Sequence, residues 1–194
     1  MSDFVFYFSL GWEHIISTNA LDHQLFIISL AAVYTFNDLK KVLILITAFT
    51  IGHSLTLALS VLDIIRFPSI WVEFLIPCTV FITAFNNILQ LDKKERSIKT
   101  NYYLALLFGF IHGMGFANAI RMMLVKDQSI CIGLVGFNVG LEAGQIFVVA
   151  FFLVTTFVFL KLLSVKRRDW VFFLSSGVFA LAIKMALERM PFLH

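Results

Sequence analysis

Hydrophobic positions in this chain fall into long unbroken runs, and most of the charges lie in the short polar stretches between them. Six runs of about 20 residues are legible, at about 19–37, 41–62, 69–90, 102–122, 132–160 and 170–190. Each is long enough to cross roughly 30 Å of hydrocarbon as an α-helix. Lipid offers no partner to open backbone, so such spans must satisfy their polar groups internally, as helices. Because the connections are short, the pattern predicts an all-α fold: one bundle of six transmembrane helices forming a single domain over residues 1–194.

Composition points the same way. Of the 194 residues, 60% are hydrophobic and only 14% charged, against about a quarter charged in soluble domains. A soluble domain would have too little polar surface to cover so much apolar side chain. Ten of the fifteen Lys and Arg follow the first, third and fifth runs: Lys40, Lys41, Lys93, Lys94, Arg96, Lys99, Lys161, Lys166, Arg167 and Arg168. The positive-inside rule then places these loops in the cytoplasm and both termini outside. The same charges need no nucleic acid to explain them. Met1 to Phe8 has no basic region, so no cleavable signal peptide is expected. Cys78 and Cys131 lie in apolar stretches and form no CxxC pair.

Ionisable groups inside apolar spans are costly and mark function by default. This chain carries Asp22, His23, His53, Glu73, His112, Glu142 and Lys184 within spans, with Glu13 and His14 just before the first. At about 1.5 Å per helical residue, His53, His112 and Glu142 fall near the midplane. On the same measure Asp22, His23 and Glu73 lie about 5 Å from the outer ends, with His14 above them. The expectation is therefore two layers, an outer and a central one. Lys184 is expected to pair with Glu142 or Glu73, or to snorkel outward.

The small and polar residues sort onto faces. Gly136, Gly140 and Gly144 repeat every four residues and would let another helix approach closely; Asn138, Glu142 and Gln145 share the opposite face. Gly109, Gly113 and Gly115 flank His112, and Thr50 and Ser54 accompany His53. Thr79, Thr83, Asn86 or Asn87, and Gln90 form a polar stripe that could serve as an exit track. Ser17, Thr18 and Asn19 are N-cap residue types, and Asn19 to Asp22 has capping-box spacing. That predicts a break, after which the preceding Glu13-His14 segment folds over the outer mouth.

Neutral imidazole with carboxylate suits borderline divalent metals: nickel, cobalt, zinc or ferrous iron. Purely carboxylate cages for calcium or magnesium do not carry such histidines. Ligands from several spans around a midplane point suit transport. A stably held metal that activates water, in an intramembrane metalloenzyme, is the alternative chemistry. Haem ligation by His53 and His112 would leave the carboxylates without a role.

Three segments, TAFTIGHSLTL at 47–57, FGFIHGMGFA at 108–117 and FNVGLEAGQ at 137–145, resemble signature stretches of the HupE/UreJ membrane proteins. The opening EHII and LDHQLF, within Glu13 to Phe26, resembles a fourth. The HPxxGxDH opening of the HupE branch is absent, so the chain is more similar to the UreJ-like side. The resemblance implies a multi-pass protein of the bacterial inner membrane, regarded as a nickel or cobalt permease and often serving hydrogenase or urease maturation. Carried over residue by residue, it singles out His14, Asp22, His23, His53, His112 and Glu142 as metal residues, with Glu73 similar to the family's acidic residue on span three. Thr50, Asn138, Gln145 and Lys184 would support them. The partners expected are the metal ion and the lipid bilayer, with a homo-oligomer left open and no nucleic acid.

Overall fold

A computed structural model describes residues 3–18, 20–92, 98–123 and 130–192. These form seven α-helices and no strand: α1 (Asp3–Ile16), α2 (Leu21–Ala31), α3 (Leu39–Val61), α4 (Ser69–Leu89), α5 (Ile98–Met123), α6 (Ile130–Phe157) and α7 (Arg167–Glu188). A 3-10 turn at Phe36–Asp38 leads into α3, and a π turn at Val158–Leu162 extends α6. Helices α3 to α7 coincide with the last five apolar runs. Among the described residues, Phe36–Val61, Ser69–Leu89, Cys131–Leu162 and Arg167–Glu188 are long and apolar enough to cross a membrane. Helix α5 is also long, and carries Gly109, His112, Gly113 and Gly115 at and just past its middle.

The segment before the first run departs from expectation. Residues 3–16 are not a flap over the mouth but a full helix, lying lengthwise and parallel on α6. Phe4 meets Gly136, Phe8 meets Gly140, and Ile15 meets Gly144. A methyl group built on Gly140 or Gly11 would collide with the facing backbone. The α6 glycine stripe is therefore the bed on which α1 lies, with Gly11 as its counterpart.

Helix α2 continues the course of α1 after the break at residues 17–20. Its first turn faces the middle of α5, where the rings of His23 and His112 lie 4.8 Å apart. Beyond its last turn, the Tyr34 hydroxyl accepts from Asn101 at the start of α5 at 2.7 Å, and the Val33 carbonyl accepts from Arg167 at the start of α7. Two short helices thus traverse the bundle end to end. At about 1.5 Å per residue they measure roughly 21 and 16 Å, neither sufficient alone to cross hydrocarbon.

The break is not capped as its sequence suggests. The N-cap of α2 is Ala20, which makes no side-chain cap, and Asn19 lies outside the described residues. The work falls to Gln24, one turn into α2. Its amide nitrogen reaches back to the carbonyls of Ile15, Ile16 and Ser17 at 3.1, 3.3 and 3.0 Å. It thereby serves the last carbonyls of α1, which have no partner within their own helix.

Around this broken helix the others pair off. α3 and α5 run parallel with backbones in close contact through Gly52, Gly109 and Gly113. α4 and α7 run antiparallel, joined by Phe81 and Phe85 against Phe179 and by Trp71 against Phe192. After its first turn α2 is apolar save for Ser29, and residues 25–27 and 29–31 are all buried; a helix of that kind belongs in a core. The polar stripe on α4 is spent on packing. Thr79 and Thr83 bond carbonyls of their own helix, and Asn87 donates to Ser29 on α2 at 2.7 Å. The basic residues Lys93, Lys94 and Arg96 lie outside the described residues, as does Lys126.

Candidate metal-ion site

Four histidines from four helices meet at the break. His14 is in the last turn of α1, His23 in the first turn of α2, His53 midway along α3 and His112 midway along α5. Ring centroids are 4.6 Å apart for His14 and His23, 4.8 Å for His23 and His112, and 6.3 Å for both His14–His53 and His23–His53. One ligand atom each from His14, His23 and His53 lies within 4.8 Å of the other two. His53, His112 and His23 are buried, and His14 is half-buried.

Their hydrogen bonding points inward. The Nε2 atoms of His14, His23 and His112, and both ring nitrogens of His53, are buried with no hydrogen-bond partner among the described residues. Buried polar groups are ordinarily paired; each neutral imidazole offers one lone pair, so the four rings bring up to four possible ligand nitrogens to one place. His112 is the most constrained. Its Nδ1 lies 2.8 Å from the Phe108 carbonyl; a carbonyl only accepts, so Nδ1 carries the proton and Nε2 keeps its lone pair for the cluster. That is the usual device for orienting a ligating imidazole. Phe26, Phe49, Phe116 and Phe137 wall the rings, and a water-poor surround of this kind strengthens every charge interaction inside it.

A cavity of about 310 Å³ opens onto the cluster and is lined by His14, Asp22, His23, His112, Glu73 and Arg189, among others. Its polar rim, Glu73 near the start of α4 and Arg189 just past α7, lies at the end of the bundle away from Lys40, Lys41, Arg167 and Arg168. Asp22 borders it with Oδ2 accepting from Arg189 Nη1 at 2.9 Å, while its Oδ1 is buried without a partner among the described residues. Glu73 is exposed on the rim.

The structure merges the two expected layers and divides the central set. His23 lies beside His53 and His112, because α1 carries the chain to mid-bundle before α2 begins, while Asp22 turns towards Arg189 at the rim. Glu142 does not join the histidines. Its carboxylate accepts from Thr47 at 2.8 Å and borders a different cavity of about 390 Å³ with Thr50, Ser54 and Asn138. Gln145 is buried and bonded to Thr50 at 3.0 Å. Asn138 donates to the Leu134 carbonyl, with its Oδ1 buried and unpartnered among the described residues. Lys184 reaches neither Glu142 nor Glu73. It is exposed and 3.6 Å from Glu188, one turn on. Sequence reasoning passed over Arg189, which reads as an ordinary basic residue closing an apolar helix, and Gln24, whose partners lie across a break.

Comparison with family models gives a match to the HupE / UreJ protein family over residues 1–189, nearly the whole chain. The chain belongs to the HupE/UreJ family. Comparisons with curated proteins and with solved structures give no match. This HupE/UreJ chain is a multi-pass membrane protein, with four of its five histidines gathered where α1 gives way to α2.

Proposed function

We propose that the protein is a permease for a divalent transition-metal ion, of the nickel and cobalt class, with zinc or iron as further candidates. The observation carrying this reading is the convergence of His14, His23, His53 and His112, with unpartnered buried nitrogens, at the foot of a polar cavity. Helices α1 and α2 act as one discontinuous crossing, which with α3 to α7 makes six. Both termini face outward and the basic segments face the cytoplasm of a bacterial inner membrane. Discontinuous helices with ionic sites at the break are a recurrent transporter solution.

The ion enters past Glu73, loses water to Asp22 and His23, and passes to His53 and His112. The second cavity, with Glu142, Thr50 and Asn138, runs from the level of His53 towards the outer end, past Ser54 and Ala58, and is not on this path. Two imidazole nitrogens on opposite sides of one ion stand about 4 Å apart, slightly less than the 4.8 Å spread of the three histidine atoms. A permease site must bind its ion weakly enough to release it. An inward gradient of potential drives the charge, at about 2.3 kcal/mol per charge per 100 mV.

Uptake of nickel, cobalt or zinc into proteoliposomes tests the reading. Wild-type protein should take up ion, and His112→Ala should take up at least about tenfold less while inserting normally, a loss of about 1.4 kcal/mol of binding or more. Equal uptake by both proteins would overturn the mechanism. A stoichiometric metal that survives chelation, with no uptake, would favour the enzyme.

A further inference from the structure

We propose that Arg189 is a tethered cation that occupies the carboxylate of the entry cavity and sets the charge an incoming ion must carry. The inference rests on the permease reading and adds a specificity-determining residue to it. Arg189 follows the last turn of α7, and its Nη1 donates to Asp22 Oδ2 at 2.9 Å and to the Glu73 backbone carbonyl at 3.5 Å.

The second acceptor exists because of a proline. The Glu73 carbonyl would normally receive the amide of the residue four positions on, but that residue is Pro77, inside α4, and proline has no N–H to give. Asp22 belongs to α2, Glu73 to α4 and Arg189 to the end of α7, so the guanidinium closes a clasp among three helices at the cavity. The Asp22 side chain is 16% exposed and that of Arg189 33%, which leaves the arginine a route outward. Glu188 is engaged with Lys184.

A guanidinium beside a cation site opposes any ion that approaches it. A monovalent ion at Asp22 replaces one positive charge by another and breaks two hydrogen bonds, so nothing is gained. A divalent ion brings twice the charge, together with the affinity of the neighbouring imidazoles, and can displace the arginine. The side chain then swings to the water interface, as long cationic side chains do. When the ion moves inward, Arg189 returns to Asp22 and lowers the carboxylate's hold on the next one.

Direct titration of the purified full-length protein with nickel, cobalt and zinc chlorides, with and without excess potassium, tests this. Arg189→Gln should bind the divalent ion at least about tenfold more tightly than wild type, a gain of about 1.4 kcal/mol, and potassium should now compete. Arg189→Lys, which keeps the charge with a poorer fork, should stay close to wild type and serves if the Gln variant does not fold. In an Asp22→Asn background, Arg189→Gln should change nothing further. Binding by wild type that Arg189→Gln leaves equal or weakens would overturn the proposal and make Arg189 a structural clasp only. Absence of divalent binding in wild type and variant alike would overturn the permease reading itself, and this inference with it.

Discussion

At the scale of single residues, the histidines trade stability for a site. His53 is fully buried, stacked between Phe49 and Phe137, and neither ring nitrogen makes a close hydrogen bond among the described residues, Asn138 being the polar side chain beside it. A buried polar group without a hydrogen bond costs about 1–3 kcal/mol. His53→Leu, apolar and of similar bulk, should therefore raise the melting temperature of the purified metal-free protein while abolishing divalent binding. A melting temperature lowered by several degrees would instead mean that His53 is a packing residue with a partner of its own. The histidines were legible in the sequence because an ionisable group amid apolar residues stands out wherever the helix points. Glu142 stood out equally, but whether it joins them depends on how α6 is rotated against α3, and Thr47 and Thr50 settle that. Gln24 was not legible: its role exists only because three carbonyls of another helix happen to end beside it.

At the scale of elements, the bundle is assembled from glycine-mediated pairs that bring side chains of different helices to one level. Gly140 receives Phe8, which sets the height of α1 and thus of His14 six residues later. Gly109 and Gly113 receive the backbone around Phe49 and His53, which brings His53 level with His112. Gly140→Leu should push α1 off α6, cut divalent affinity by at least about tenfold and lower the melting temperature. Gly177→Leu, where nothing lies within 4 Å of the added carbon, should leave both unchanged, and a comparable loss there would show that the α6 result is not specific. The glycine stripe was readable from its four-residue spacing. Its partner was not, because residues 3–16, with Asp3, Glu13 and His14 among aromatics, lack the length of a span and read as a terminal segment.

At the scale of the whole molecule, the deciding matter is whether α1 and α2 cross the membrane as one broken helix. Neither has the length alone, and the pair lies parallel to α6 along most of that helix, so wherever α6 goes the pair goes too. Asp3 is exposed at the start of α1 and Asn37 just past α2, at opposite ends of the bundle. Single cysteines at these positions, in a chain whose Cys78 and Cys131 are first replaced by serine, report the side of the membrane each occupies. Asp3→Cys should react with a membrane-impermeant maleimide on intact cells, and Asn37→Cys only after permeabilisation. Reaction of both on intact cells would mean that the pair enters and returns on one side. The histidine cluster would then sit at the bottom of a re-entrant vestibule and would need a different inner route. Opposite sidedness places the break at mid-depth, where a dehydrating ion meets the greatest cost and where four imidazoles and a carboxylate do most to offset it.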